Sequence, residues 1–270
     1  MKTRILTAAV AIPLLLLVLM VAEKIIAAVV WGLMMSIAAY ELLFGTGLIK
    51  EPRLIIYSCG MAFAMTMWSY FDAVHAYFLL LVMVFLIALY AEMMISHVKI
   101  TFDKLGLCVM GGLIIPFLLS SLIRILTMKI GRYVILIPFV VAFTSDSGAY
   151  FSGMMFGRHK LAPVISQHKT IEGVIGGVLA SILSMVVYAA VLHFNNFDVD
   201  FVNAIIYGVL GSAAGVFGDL CFSVVKRQTG IKDYGNILPG HGGILDRFDS
   251  MMLVGPLMEA LLLLLPIIKG

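Results

Sequence analysis

HAYFLLLVMVFLIALYAEMMIS, residues 75–96, decides the fold. Only Glu92 and the terminal His75 and Ser96 interrupt an apolar run of the length a membrane-spanning helix needs, about 20 residues. A transmembrane strand would alternate apolar and polar positions over about 10 residues, and no alternation is present. The same pattern recurs on both sides, between clusters of charge, Pro and Gly. The predicted spans are at about 5–22, 25–44, 54–71, 75–96, 105–124, 133–152, 171–194, 201–225 and 250–268. Composition agrees, because 62% of the 270 residues are apolar and 12% charged, whereas a soluble domain carries about 25% charged residues. Mean hydropathy is +1.10. The expected fold is all-α, a polytopic integral membrane protein of about nine transmembrane helices with a polar cavity open to the cytoplasm.

Several classes are excluded. A formal charge of +3 is small and scattered, so no nucleic-acid partner is expected. Cys59, Cys108 and Cys221 are odd in number and lie in apolar runs, so they read as buried hydrophobes rather than a disulfide framework. The basic start and apolar middle of Lys2 to Met20 are read as a span rather than a cleaved leader, because the run is long and another span follows almost at once. Of the 18 basic residues, all but Lys24, Arg124, Lys129, Arg132 and Lys269 fall on one side of the predicted bundle. The positive-inside rule therefore makes the N-terminus and the loops near residues 153–170 and 226–249 cytoplasmic, in a multi-pass protein of the plasma membrane if the source is bacterial.

Polar chemistry is concentrated in the second half. Residues 1–130 read as mainly scaffold, and 131–270 as the part that carries the active site. In the first half Glu41, Asp72, His75 and Glu92 are isolated and near predicted helix ends, where interfacial snorkelling or packing accounts for them. The densest polar stretch is SVVKRQTGIKDYGNILPGHGGILDRFD, Ser223 to Asp249. A solvated charged loop is its plain alternative. Two details argue for more. Gly240-His241-Gly242-Gly243 lets backbone amides approach an anion, just ahead of the predicted last helix. Asp246 and Asp249, three apart, are expected on one helical face, where two carboxylates repel unless a cation lies between them. Asp219 adds a carboxylate inside the eighth span, where a charge needs a partner or a wet cavity; the alternative is a packing ion pair with Lys or Arg. Hard oxygen ligands beside basic residues suit Mg²⁺, with phosphate and water completing its shell.

A second group lies in the sixth span and the loop after it. Asp146 is expected at a depth similar to Asp219, and Arg158, Lys160, Lys169 and Thr170 are candidates to clamp phosphate oxygens, unless the positive-inside bias alone explains them. Glu172 suits a helix N-terminus whatever else it does. Gly173 with Gly177, and Gly211 with Gly215, are small-xxx-small pairs that predict close helix packing. His193 is expected at the outer edge, away from the polar cluster, and His241 alone is weak evidence for zinc.

The run Ser223-x-Val225-Lys226-Arg227-x4-Lys232-Asp233-x-Gly235-x2-Leu238-Pro239-x-His241-Gly242-Gly243-Ile244-x-Asp246-Arg247-Phe248-Asp249 resembles the signature of the phosphatidate cytidylyltransferases, also called CDP-diacylglycerol synthases. Asp146-Ser147-Gly148-Ala149-Tyr150 is similar to that family's Asp-Thr-Gly-Ala-Tyr element. Ser166 to Gly173 resembles its Ser-Pro-Lys-Lys-Thr-x-Glu-Gly stretch but departs at Gln167 and His168, so position 168 is not a dependable cationic contact. The resemblance is strong in the C-terminal half; the first spans match only as apolar helices.

The resemblance implies that CTP and phosphatidate, a membrane lipid, give CDP-diacylglycerol and pyrophosphate with Mg²⁺, a second cation being allowed. The lipid phosphate would attack the α-phosphorus of CTP in line. Asp219, Asp246, Lys226 and Arg227 are then the expected catalytic residues, and Asp219, Asp246 and Asp249 the expected metal ligands. Lys232, His241, Gly242, Gly243, Arg247, Asp146, Lys169 and Thr170 are the expected substrate contacts. A homodimer is expected only because membrane enzymes often pair. A secondary transporter would show paired broken helices in both halves, whereas polar chemistry is confined to one. A CDP-alcohol phosphotransferase would carry a longer Asp-rich pattern. A cytidylyltransferase acting on another lipid phosphate or a polyprenyl substrate is the nearer rival.

Overall fold

A computed structural model describes residues 13–71, 75–237 and 242–269. Helices dominate, and among the described residues seven are long and apolar enough to cross a membrane: Lys24–Gly45, Pro52–Phe71, Tyr77–Ile95, Phe102–Thr127, Gly131–Phe156, Ile171–Phe194 and Phe201–Thr229. Of the first predicted span, residues 13–20 are helical and residues 5–12 lie outside the described part. The last predicted span, 250–268, contains a shorter helix than its apolar run suggests. Its helix covers only Met251–Leu264 and contains Pro256; beyond it Val199 bridges Ile268 and Asp200 N–H donates to Ile267 O.

The chain forms two compact units: Met1–Lys129 with Gln228–Phe248, and Ile130–Arg227 with Asp249–Gly270. In the first, helix α1 (Lys24–Tyr40) runs into a π-helical turn, Glu41–Gly45, and α2 (Pro52–Phe71) opens on a proline, whose missing N–H costs nothing at a helix start. After α3 (His75–Ile95), the fifth predicted span is a series of short pieces: α4 (Phe102–Val109), a second π turn (Met110–Ile114), α5 (Ile115–Leu119) and α6 (Ser121–Thr127). Leu54, Met65, Leu89 and Cys108 are fully buried in the core of this unit. The other side of α3 is bare, with Leu79, Met83 and Ile87 each more than half exposed, as a lipid-facing surface requires. Glu92 is 9% exposed and meets Arg53 at 3.4 Å and the Tyr57 hydroxyl at 3.1 Å, so it is a packing group rather than a snorkelling one. Asp72 lies outside the described residues.

The second unit holds the short α7 (Gly131–Val134), α8 (Ile137–Phe156), α9 (Ile171–Phe194), α10 (Phe201–Thr229) and α11 (Met251–Leu264). Helices α8 and α9 are joined by a hairpin, β1 (Lys160–Ala162) antiparallel to β2 (Ser166–Thr170), a small exception to the all-α expectation. Gly173 and Gly177 pack as their spacing predicts: a Cβ at either would come within 2.8 Å of a backbone oxygen of α8, from Ala149 or Ser145. At Gly211 a Cβ would run into Val141. Ser145 Oγ and Ser212 Oγ, 2.6 Å apart, tie α8 to α10. Helix α10 extends to Thr229 and stops at Gly230, whose φ of +72° suits a residue without a Cβ. Lys226 and Arg227 are therefore in the last helical turn, not in a loop, a position that their charge also favours.

Candidate active site

The second unit gathers acidic and basic groups from α8, α10, β2 and the turn before α11. Asp219 sits ten residues before the end of α10 and Asp146 ten before the end of α8, each about 15 Å from its helix terminus at 1.5 Å per residue. Lys169, on β2, reaches in to place Nζ 2.6 Å from Asp219 Oδ2 and 3.5 Å from Val216 O. Ser223, one turn beyond Asp219, donates its hydroxyl to Asp219 Oδ1 at 3.2 Å. Asp249 Oδ2 lies 3.9 Å from Lys226 Nζ, and both side chains are 16% exposed. Asp146, exposed on α8, is within electrostatic range of Asp219, Lys169 and Asp249. Burial pushes the Asp249 carboxyl up to about 7; the negative charge of Asp219 adds to this and Lys226 offsets part of it.

Three carboxylates against two lysines leave this cluster one negative charge in excess when all are ionised. Among the described residues no three His, Cys, Asp or Glu side chains form a ready-made metal cage. The donor chemistry nevertheless fits Mg²⁺, which characteristically takes one or two carboxylates and completes its octahedron with water and phosphate oxygens.

Thr170, expected to contact phosphate, is 6% exposed, and its hydroxyl caps α9 by accepting from Gly173 N–H at 3.1 Å. Glu172 does more than suit the helix dipole: its carboxylate accepts from the Arg158 and His159 amides and meets His159 Nδ1 at 2.6 Å, fixing the start of the hairpin. Arg227 is exposed, and its Nε donates to Ile165 O at 3.3 Å. His193 is exposed beside Phe194 and Phe201.

The other expected residues belong to the first unit. Asp246 and Asp249 do not share a helical face. Asp246 is in a 3-10 turn, Leu245–Arg247; Phe248 leaves helical geometry at φ −117°, and α11 begins only at Met251. Asp246 is 5% exposed, and its Oδ2 accepts from Tyr234 N–H at 2.8 Å and Gly243 N–H at 3.0 Å. The Gly243 amide, expected to face a phosphate, is thus spent on Asp246. Gly242 turns the chain at φ +83°, a conformation that its position in the tight loop reserves for glycine. Lys232 and Arg247 are exposed. His241 lies outside the described residues.

Glu41, which the sequence left as an interfacial or packing group, packs with partners that the sequence did not announce. It is 2% exposed in the π turn after α1, and its two carboxylate oxygens accept from Ile244 N–H at 3.1 Å and Leu245 N–H at 2.9 Å. A Cβ on either Gly235 or Gly243 would collide with the same carboxylate. The only sequence signal was an acidic residue at the end of a span, and nothing in the sequence paired it with a segment some 200 residues away.

A family model described as the cytidylyltransferase family matches residues 2–265. Among curated proteins, a phosphatidate cytidylyltransferase of Staphylococcus haemolyticus is 47% identical over 133 residues, 49% of this chain and 50% of that protein. Proteins of the same name from Staphylococcus aureus strain COL and Staphylococcus epidermidis are 48% identical over 133 residues and 49% over 134. Each match spans about half the length of the relative concerned.

Proposed function

We propose, from the premise that the chain belongs to the cytidylyltransferase family, that it transfers the cytidylyl group of CTP to phosphatidate. A phosphate oxygen of the lipid attacks the α-phosphorus of CTP, the bond from that phosphorus to the β-phosphate oxygen breaks, and pyrophosphate leaves as CDP-diacylglycerol forms. The observation that carries this reading is the cluster of Asp146, Asp219 and Asp249 with Lys169 and Lys226.

Charge gathers on the phosphate oxygens in such a transfer, and fixed cations positioned around it lower the barrier. Lys169 and Lys226 are the residues to do so, each at present neutralised by a carboxylate that it can exchange for a phosphate oxygen. Arg227, at the end of α10, adds a fork suited to a terminal phosphate. Asp219 and Asp249 would hold Mg²⁺, with Asp146 beside them. The ion would supply Lewis-acid neutralisation of bridging phosphate oxygens. Ser223, bonded to Asp219, keeps that carboxylate turned toward the cluster. In the first unit, Lys232 and Arg247 are exposed cations for phosphate, and Asp246 is assigned to shaping the glycine-rich turn. Lipid enters from the bilayer and nucleotide from the cytoplasmic side, consistent with the distribution of Lys and Arg.

The test mixes purified protein, Mg²⁺, phosphatidate and CTP labelled at the α-phosphorus. Label should move into the lipid phase with one pyrophosphate released per lipid labelled. Label that stays in water would reject the reading. Transfer to a polyprenyl phosphate but not to phosphatidate would leave the chemistry and change the substrate.

A further inference from the structure

We propose that Glu41 is a positioning residue for nucleotide binding: its carboxylate, fixed by the π turn after α1, sets the shape of the glycine-rich segment Gly242–Arg247. The inference rests on the functional reading above for the identity of the ligand, but its structural part stands without it.

A carboxylate at 2% exposure costs several kcal/mol, in order of magnitude, unless its lone pairs are met. Glu41 meets them with two consecutive amides, Ile244 and Leu245. Consecutive N–H groups converge on one acceptor pair only when the chain curls around it, so the carboxylate dictates the local curvature. Space enforces the same fit. Glycine at 235 and 243 leaves room for the Glu41 carboxylate, and glycine at 45 leaves room for the carbonyl of Tyr234. Tyr234 is in turn tied to Asp246 through its amide.

The end of the segment is clamped separately: Phe248 stands edge-on to Trp31, with ring centroids 5.0 Å apart, and the Trp31 indole N–H donates to Leu119 O at 3.1 Å. Both clamps belong to α1 and the turn that ends it. A π turn is a rare, wider turn of helix. Here it ends α1 with a buried acid directed at the segment that carries Arg247 and the turn glycines. Nothing in this arrangement touches a reacting atom, which makes Glu41 a residue that acts through the loop.

The experiment uses the full chain in detergent with Glu41→Gln, which keeps one acceptor and replaces the other with a donor that Leu245 or Ile244 N–H cannot use. KM for CTP should rise about tenfold, the scale of losing one hydrogen bond to a charged group. KM for phosphatidate should stay within about twofold. Equal changes in both, or none, would overturn the positioning role. Amide exchange read on the same protein should quicken at Ile244 and Leu245 while the interior of α2 stays protected; unchanged exchange there would also overturn it. If Glu41→Gln does not fold, Gly235→Ala presses on the same carboxylate from the loop side and should give the same CTP-selective loss. If wild-type protein transfers no label at all, the functional reading falls and the exchange result alone decides whether Glu41 shapes the turn.

Discussion

Two groups of carboxylates are held in opposite ways. In the second unit Asp219 and Asp249 face lysine ammonium groups; in the first, Glu41 and Asp246 face backbone amides. A lysine on a four-carbon stem can swing from a carboxylate to an incoming phosphate, and a carboxylate so released can take a cation. A backbone amide cannot move without the chain moving. The first arrangement suits partners that can be exchanged, and the second suits a fixed shape.

The comparison is easiest to break at Asp219. Asp219→Asn should lower turnover by about 1,000-fold or more, as loss of a main electrostatic element does, with helix content by circular dichroism unchanged. A near-normal rate would remove the exchangeable cluster from the mechanism. Asp246→Asn should cost about 100-fold, and unlike Asp219→Asn it should also lower the midpoint of thermal unfolding, because the two amides that converge on one carboxylate oxygen in a buried site then face a neutral acceptor. A large rate loss with no change in melting would move Asp246 into the exchangeable class. Lys169→Met should raise KM for CTP about tenfold and weaken inhibition by pyrophosphate in proportion.

Asp249 sharpens the contrast through pH. Its carboxyl is raised to about 7, so the folded chain holds a proton that the unfolded chain has already released, and stability without a cation should fall as pH rises from about 4 through 7. Cation binding needs the ionised form, so Mg²⁺ affinity should rise over the upper part of the same range, measured by titration calorimetry at pH 6 and 8. Asp249→Asn should flatten both profiles. The smallest effect is expected at His193: His193→Ala should leave the rate within about twofold, since the ring lies among aromatic residues far from either group of carboxylates in sequence.

Much of this was legible in the sequence because membrane helices announce themselves by length. The runs at 54–71, 171–194 and 201–225 correspond to helices within a few residues, and the glycine pair on α9 packs as its spacing required. That Asp219 needs a partner was legible too, and Lys169 provides one, the ion pair that the sequence offered as the alternative to a metal site. What was hidden depends on non-local pairing or on local hydrogen bonding. The broken helix at Phe102–Thr127 looked continuous because π turns leave no strong mark in hydropathy. The i, i+3 spacing of Asp246 and Asp249 suggested one helix, but Tyr234 and Gly243 offered Asp246 amides in a tight turn, which competes with helix formation. Thr170 resembled a ligand contact because capping and phosphate binding draw on the same side-chain chemistry.

The first unit is discontinuous: Gln228–Phe248 completes what Met1–Lys129 begins. During synthesis at about 5–20 residues per second, roughly a hundred further residues must be made before that segment emerges, so the ribosome delivers the missing piece some 5–20 seconds late. Until then Glu41 has neither Ile244 nor Leu245, and Trp31 has no Phe248. An acid that the bilayer tolerates poorly thus stands at the end of α1 without its two amides until that segment has been made.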